Sequence, residues 1–365
     1  MTDAQQKQPK RVMMMAAGTG GHVFPALAVA KELQQKGIEV SWLATPTGME
    51  NRLLKNHNIP IYQIDIQGVR GNGILRKVLA PFKILKATLS AMRYMKQLKV
   101  EAVVGFGGYV AGPGGLAART LGIPVIIHEQ NAIAGFTNTQ LSRVATVVCE
   151  AFPQTFPAQQ KVVTTGNPVR KEITEILNPS WRYQEREKAG QPLRILIVGG
   201  SLGARALNEC VPEALKQLNV PLHVFHQCGQ DNTEATQARY ADASDGLQVE
   251  VSPFIDDMAK AYSDADLIIC RAGALTVTEI ATAGLAAVFV PLPSAVDDHQ
   301  TANAKFLANI NAAKICPQAE MTPESLSTLL MPLMNRQLLQ EMAVKARRQA
   351  QPDATQHVVR LIQEL

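Results

Sequence analysis

Apolar residues in this chain come in short unbroken runs that end in glycine, asparagine or proline, and the stretches between them repeat apolar positions at helical spacing. Two runs open the same kind of unit. Residues 11–17 lead into GTGGH and residues 193–198 into GGSLGA, each predicting a strand, a glycine turn and a helix. They start about 180 residues apart, close to half of the chain, as two similar α/β domains in tandem would. Between them VEAVVGFGGYVAGPGG, IPVIIHEQN and KVVTTGNPVR predict further strands. LHVFHQCG, LQVEVSPFI, ADLIICRAGA and AAVFVPLP follow, alternating with helical stretches such as ALTVTEIATAG. Strands apolar on both faces and separated by helices predict parallel sheets covered on either side. The domain junction is expected after Arg170, giving domains 1–170 and 171–365. Residues 178–192, NPSWRYQEREKAGQP, predict a surface helix and loop. A last helix over 332–365, interrupted by Pro352, is expected to bend back toward the first domain.

The length supports this division, since 365 residues exceed twice the ~150 of a typical domain. With 46% apolar and 18% charged residues the chain falls in the ordinary globular class and not among disordered ones. Five cysteines, scattered and never spaced C-x-x-C, support neither a disulfide framework nor a zinc knuckle and suit a reducing cytoplasm. The first eleven residues are polar and the next six apolar, too few for a signal-peptide core or for the ~20 residues of a membrane span.

In open parallel sheets ligands bind beyond the carboxyl ends of the strands, where glycine loops let backbone N–H groups approach an anion. Three such loops stand out: 18–22 (GTGGH), 105–115 (GFGGYVAGPGG) and 199–204 (GGSLGA). None reads G-x-x-x-x-G-K-[ST], which excludes a nucleoside triphosphate held by a P-loop. None is a full G-x-G-x-x-G with an acidic residue about 20 positions on, which weakens a nicotinamide reading. A ligand with two phosphates, held between two Rossmann-like domains, is the leading expectation.

The strings GTGGHVFPALAVAKEL, GFGGYVAGPGGLAA, HEQNAIAG, TGNPVR, GGSLGARALN and RAGALTVTEIATAG, in this order and spacing, closely resemble the MurG family of peptidoglycan transferases. That family moves N-acetylglucosamine from UDP onto the lipid-linked muramyl-pentapeptide, lipid I, to make lipid II. The resemblance spans residues 11–350. It implies a GT-B fold of the α/β class, two Rossmann-like domains flanking a deep cleft, with donor held mainly by the second and acceptor by the first. It also implies inverting transfer with no cofactor and no bound catalytic metal, the leaving UDP being stabilised by helix N-termini.

His22, at the start of a helix after the first glycine loop, is a candidate general base on the acceptor hydroxyl, since an imidazole titrates near neutral pH. Glu129, after an apolar strand, is a second candidate for base or for orienting the acceptor. By resemblance Thr19, Gly20 and Gly21 lie against the transferred sugar and diphosphate, Asn131 binds the N-acetylglucosamine unit, and Gly107, Gly108 and Tyr109 serve the acceptor's diphosphate. Arg170 contacts the donor nucleotide, Ser201 donates to phosphate, and Ile255 reads the uracil edge through its backbone. The segment Ala274, Leu275, Thr276, Val277, Thr278 and Glu279 opens a helix toward the phosphates and offers the Glu279 carboxylate to the ribose hydroxyls. Gln300 binds the sugar's hydroxyls. The family usually carries Gln where this chain has Leu202, so the contribution of that side chain is open while the backbone cradle is not affected.

Charge is unevenly placed. Residues 67–100 hold no Asp or Glu but eight basic residues, Arg70, Arg76, Lys77, Lys83, Lys86, Arg93, Lys96 and Lys99, among Ile74, Leu75, Leu79, Phe82, Ile84 and Leu85. One-sign charge beside apolar side chains suits an anionic bilayer surface, each basic residue adding on the order of 1 kcal/mol. With aromatics at 5% and no recognition motif, nucleic acid is a poor partner. The expectation is a peripheral enzyme on the cytoplasmic face of the bacterial inner membrane, with UDP-N-acetylglucosamine, lipid I and other wall-synthesis proteins as partners. A UDP-N-acetylglucosamine 2-epimerase or a catalytically silent sugar-nucleotide scaffold are the alternatives.

Overall fold

The computed structural model describes residues 8–66, 74–200, 202–293, 295 and 298–365, with the helix backbone alone over 74–79. The first sheet is built from β1 (Arg11–Ala16), β2 (Glu39–Ala44), β3 (Ile61–Gln63), β4 (Ala102–Gly107), β5 (Val125–Glu129), β6 (Val147–Glu150) and β7 (Val162–Thr164). Their order is β3-β2-β1-β4-β5-β6-β7, all pairs parallel. The second contains β8 (Leu193–Val198), β9 (Leu222–Gln227), β10 (Leu247–Ser252), β11 (Leu267–Cys270), β12 (Ala286–Phe289) and β13 (Ala313–Ile315) in the order β10-β9-β8-β11-β12-β13, again parallel. In each sheet the winding reverses beside the first strand, between β1 and β4 and between β8 and β11. These are topological switch points, where open α/β sheets leave room for a ligand.

The strand period of two explains the unbroken apolar runs. Val12, Met14 and Ala16 enter one buried cluster while Met13, Met15 and Ala17 enter the cluster on the opposite face. The first of these faces is completed by the chain's far end, because Val358, Val359 and Ile362 belong to the same cluster. The chain accordingly divides into two compact units, Met1–Val169 with Gln351–Leu365, and Arg170–Ala350. Residues 332–365 are not one interrupted helix but two, Arg336–Arg347 and Ala354–Gln363, with Pro352 in the break. Proline cannot donate to the preceding turn and disfavours a helical conformation in the residue before it.

The helix Pro179–Lys188 departs from a surface helix: Arg182 and Tyr183 are buried. Arg182 donates to the carbonyls of Ser263 (3.0 Å), Ala283 (2.7 Å) and Gly284 (2.7 Å), closing the carboxyl end of the helix Ala274–Ala283. Burial pulls its guanidinium down to about 10, so it remains charged at neutral pH. Asp266 is the companion anion. Its fully buried carboxylate accepts from Arg186 Nε (2.9 Å), Arg336 Nη2 (3.3 Å) and the backbone N–H of Arg194 (2.9 Å).

Two buried histidines lock loops at the carboxyl ends of the sheets. His128 Nε2 donates to the Gly166 carbonyl (2.9 Å) while Nδ1 accepts from Gln130 (3.1 Å), and the ring stacks on Phe106. In the second unit His226 bridges the Tyr240 hydroxyl (3.0 Å) and Asn208 Oδ1 (3.1 Å). Burial drives both imidazoles down to about 4.

Replacing Asp266 by Ala leaves the largely buried Arg186 without a carboxylate and Arg336 with only the exposed Glu187, and is expected to cost roughly 3–5 kcal/mol. Thermal unfolding would read this as a fall on the order of 10 °C; a fall within 2 °C would mean that the ion network contributes nothing net. The histidines predict a pH dependence. The unfolded chain protonates them near 6.5 and the folded chain only near 4, so their contribution is complete above about pH 6.5 and is lost as pH falls toward 4. Denaturant titrations should show roughly 2 kcal/mol lost per histidine between pH 7 and 5, and imidazole NMR signals titrating near 6.5 would contradict it.

Candidate active site

At the first switch point the loop after β1 meets the loop after β4. Thr19 ends the first loop in extended conformation and the helix Gly20–Gln35 begins with no acidic residue in its first turn and no side-chain cap. Its leading N–H groups have no intrahelical acceptor, which is the arrangement that receives anions. His22, half-buried, sits in this first turn with Nδ1 3.3 Å from Thr19 Oγ1. The imidazole lies close to Gly107, where a Cβ would come within 2.9 Å of His22 Cδ2 and 3.0 Å of Nε2. Gly107 also has φ +101°, so glycine is required twice over. At Gly108, φ +79°, a Cβ would strike the Ala17 carbonyl. Tyr109, next in the chain, is exposed.

Glu129, the second candidate for base or for orienting the acceptor, ends β5 buried. It is 2% exposed and both oxygens are engaged. Oε1 accepts from the backbone N–H (3.0 Å) and side-chain amide (3.2 Å) of Asn131, and Oε2 from the Gly135 N–H (3.0 Å) and Asn138 Nδ2 (2.9 Å). Four donors fill the usual acceptor positions of a carboxylate. Glu129 therefore folds the loop over 131–138 and orients Asn131, and of the two candidate bases only His22 is not saturated by such donors in this way.

In the second unit the loop after β8 touches the loop after its other neighbour, β9, backbone to backbone. A Cβ on Gly203 would collide with the Cys228 carbonyl, and one on Gly229 with Gly203 itself. Asn208 caps the same carbonyl (2.8 Å) and links it to His226. Gln227 exchanges hydrogen bonds with Gly200, accepting at 3.2 Å and donating at 3.0 Å, and donates to the Pro253 carbonyl (2.9 Å), tying the glycine loop to the segment that carries Ile255. Sequence reasoning passed over Gln227, His226 and Asn208; the available signal was a polar pair ending the apolar run LHVFHQ. Ser201 lies outside the described residues. Leu202 is 88% exposed, so its side chain points away from the loop's packed core. Ile255 is buried beside exposed Phe254, at one end of a groove of about 720 Å³ between β8–β10 and the helix Met258–Asp264.

After β11 the chain passes Gly273 and opens the helix Ala274–Ala283, again without acid in its first turn and without a side-chain cap. Ala274, Leu275 and Thr276 therefore present the leading N–H groups. Val277 and Thr278 serve the helix instead: the Val277 N–H donates to the Gly273 carbonyl (2.9 Å), its side chain is buried, and the Thr278 hydroxyl donates to the carbonyls of Ala274 (3.1 Å) and Leu275 (3.0 Å). Gln300 Oε1 accepts the N–H groups of Ala272 (3.2 Å) and Leu292 (3.0 Å), which turns its amide nitrogen to the role of donor. Glu279, 4% exposed, receives Arg170 on both oxygens (3.0 and 3.2 Å) and the Tyr262 hydroxyl on Oε2 (3.1 Å). The structure thus joins Arg170 and Glu279, which the sequence had placed on separate parts of a nucleotide. Burial raises the carboxyl above its ordinary range, while Arg170 and Tyr262 oppose the shift.

The one Asp-x-Asp string of the chain, Asp264-Ala265-Asp266, is of the kind with which metal-dependent sugar transferases hold a cation. Here it precedes β11, at the amino end of the sheet and away from these loops. Asp264 pairs with Lys260 and Asp266 with Arg186 and Arg336, so the string serves the fold.

The basic segment forms the helix Ile74–Gln97. The side chains of Ile74, Leu75, Arg76, Lys77 and Leu79 lie outside the described residues, as does Arg70. Beyond them Phe82 (71%), Leu85 (57%) and Leu89 (56%) are exposed together with Lys83 and Lys86. Among the described residues no helix is long and apolar enough to cross a membrane.

Comparison with known proteins agrees with this arrangement. The chain matches the glycosyltransferase family 28 N-terminal domain over residues 12–150 and the glycosyltransferase family 28 C-terminal domain over residues 194–358. It is 80% identical over 365 residues, all of both chains, to the UDP-N-acetylglucosamine-N-acetylmuramyl-(pentapeptide) pyrophosphoryl-undecaprenol N-acetylglucosamine transferase of Acinetobacter baumannii strain AYE. The protein of the same name from Psychrobacter arcticus is 51% identical over 355 residues, 96% of this chain and 98% of that one. The crystal structure of Acinetobacter baumannii MurG superposes with a TM-score of 0.88 at 77% identity, covering 98% of this chain and all of the other. Two glycine-looped parallel sheets, each with an uncapped helix start at its switch point, and full-length identity of this order place the chain in the MurG family of GT-B glycosyltransferases.

Proposed function

We propose that this chain transfers N-acetylglucosamine from UDP to the C4 hydroxyl of the muramyl-pentapeptide carried on undecaprenyl diphosphate, with inversion at the anomeric carbon. Full-length identity with transferases of that name carries the reading. His22 takes the proton of the attacking hydroxyl: with Nδ1–H donated to Thr19 Oγ1, the lone pair is on Nε2, the atom that rests against Gly107. Asn131, held by Glu129, meets the sugar. As the bond to UDP breaks, negative charge grows on the β-phosphate. The uncapped start of the helix Ala274–Ala283 and the amides of the loop after β8 stabilise it without reorganising, the situation in which fixed dipoles act most strongly. Glu279 receives the ribose, Ile255 the uracil edge and the Gln300 amide the sugar's oxygens.

The acceptor's lipid lies in a bilayer. The exposed apolar and basic side chains of the helix Ile74–Gln97 support docking on an anionic surface, and a UDP-sugar donor supports the cytoplasmic face.

Radiolabel from UDP-N-acetylglucosamine should pass to a lipid I analogue only when the protein is present, and donor incubated alone should yield no 2-epimer. His22→Ala should lower kcat by about 10²–10⁴-fold while calorimetry finds donor affinity within twofold; undiminished turnover would remove the base. Lys83→Glu with Lys86→Glu should reduce sedimentation with phosphatidylglycerol-rich vesicles by at least tenfold and leave transfer to a water-soluble acceptor unchanged, whereas unaltered sedimentation would detach this helix from the membrane.

A further inference from the structure

Glu279 is held by two partners of opposite accessibility. Arg170, the first residue of its unit, approaches with a side chain 42% exposed, whereas Tyr262, 1% exposed, approaches from the core through the helix Met258–Asp264. A carboxylate offers about four acceptor positions. Arg170 Nε and Nη2 and the Tyr262 hydroxyl occupy most of them, so two ribose hydroxyls cannot be added to the pair as it stands. One partner must yield, and only the exposed one can do so without uncovering a buried polar group. The Tyr262 phenol is the partner that stays. It is fully buried, and burial beside Glu279 holds its ionisation well above the ordinary range, so it remains a donor at every working pH.

We propose that Tyr262 is a positioning residue for nucleotide recognition: it holds Glu279 from the buried side, so that the face of the carboxylate now covered by Arg170 is the face that meets the ribose hydroxyls. This rests on the reading of Glu279 as the ribose acceptor. Arg170 is then the exchangeable cation, released from Glu279 as the nucleotide enters and set beside its diphosphate.

Calorimetry with UDP and with 2′,3′-dideoxy-UDP tests this on the whole protein. Wild type should prefer UDP. Tyr262→Phe, which keeps the ring, should weaken UDP binding roughly five- to twentyfold, in keeping with a lost hydrogen bond to a charged group, and leave 2′,3′-dideoxy-UDP within twofold. Glu279→Gln should abolish the preference, and adding Tyr262→Phe to it should cost nothing more. Equal weakening of both nucleotides, or losses that add, would make Tyr262 merely structural and overturn the proposal. An unaffected Tyr262→Phe beside an impaired Glu279→Gln would overturn it while keeping the ribose reading. A Glu279→Gln variant that still prefers UDP would overturn that reading and the proposal with it. If the Phe variant cannot be purified folded, Tyr262→Met, which also lacks the hydroxyl, decides between the same outcomes.

Discussion

The glycine loops that follow the first strand of each sheet depend on backbone passing backbone at a distance that admits no Cβ. Gly108 lies on the Ala17 carbonyl in the first unit and Gly203 on the Cys228 carbonyl in the second. Because these glycines also have positive φ, substitution would meet strain as well as collision. The close approach has a chemical consequence. It brings the loop after β4 under the His22 ring, and it brings Asn208 and Gln227 into reach of the glycine loop after β8, so the side chains that could act are fixed by contacts made between main chains.

Three buried carboxylates differ in how accessible their partners are. Asp266 has two guanidinium partners and a backbone N–H at the amino end of β11, far from any switch-point loop, and holds the second unit together. Glu129 has four donors, all from residues 131–138, and its work is to shape that loop. Glu279 alone is held on one side by a half-exposed cation. A charge whose strongest partner can reach solvent is the one whose partner can be exchanged for a ligand.

Much of the fold was legible in the sequence because strands buried on both faces must be apolar throughout, which made each run and its terminal glycine visible. The loops carrying His22, Gly107 and Ala274 followed from those runs. What stayed hidden depends on partners remote in sequence. Arg182 and Arg186 read as surface charge in NPSWRYQEREKAGQP, but they meet carbonyls and a carboxylate some 80 to 100 positions away. Tyr262 looks like one more apolar position of an amphipathic helix, and only the structure brings its hydroxyl to Glu279. Glu129 was visible as a residue but not as a saturated acceptor, since its donors come from a loop whose shape the carboxylate itself imposes.

Leu202 illustrates the same division from the other side. The side chain is 88% exposed on a loop whose neighbours are pinned by Gln227 and by Gly203 against Cys228, so the position of the loop's amides is set before the side chain is chosen. A leaving diphosphate spreads its charge over several oxygens, and uncapped N–H groups meet it without depending on any one side chain. Glu279 and Gln300, the residues proposed to read ribose and sugar, lie elsewhere, on two helices, Ala274–Ala283 and His299–Ala308, and are held separately by Tyr262 and by the N–H groups of Ala272 and Leu292. The glycine loop after β8 and the side chains of Glu279 and Gln300 therefore have independent supports within one unit, so a substitution at one need not move the other.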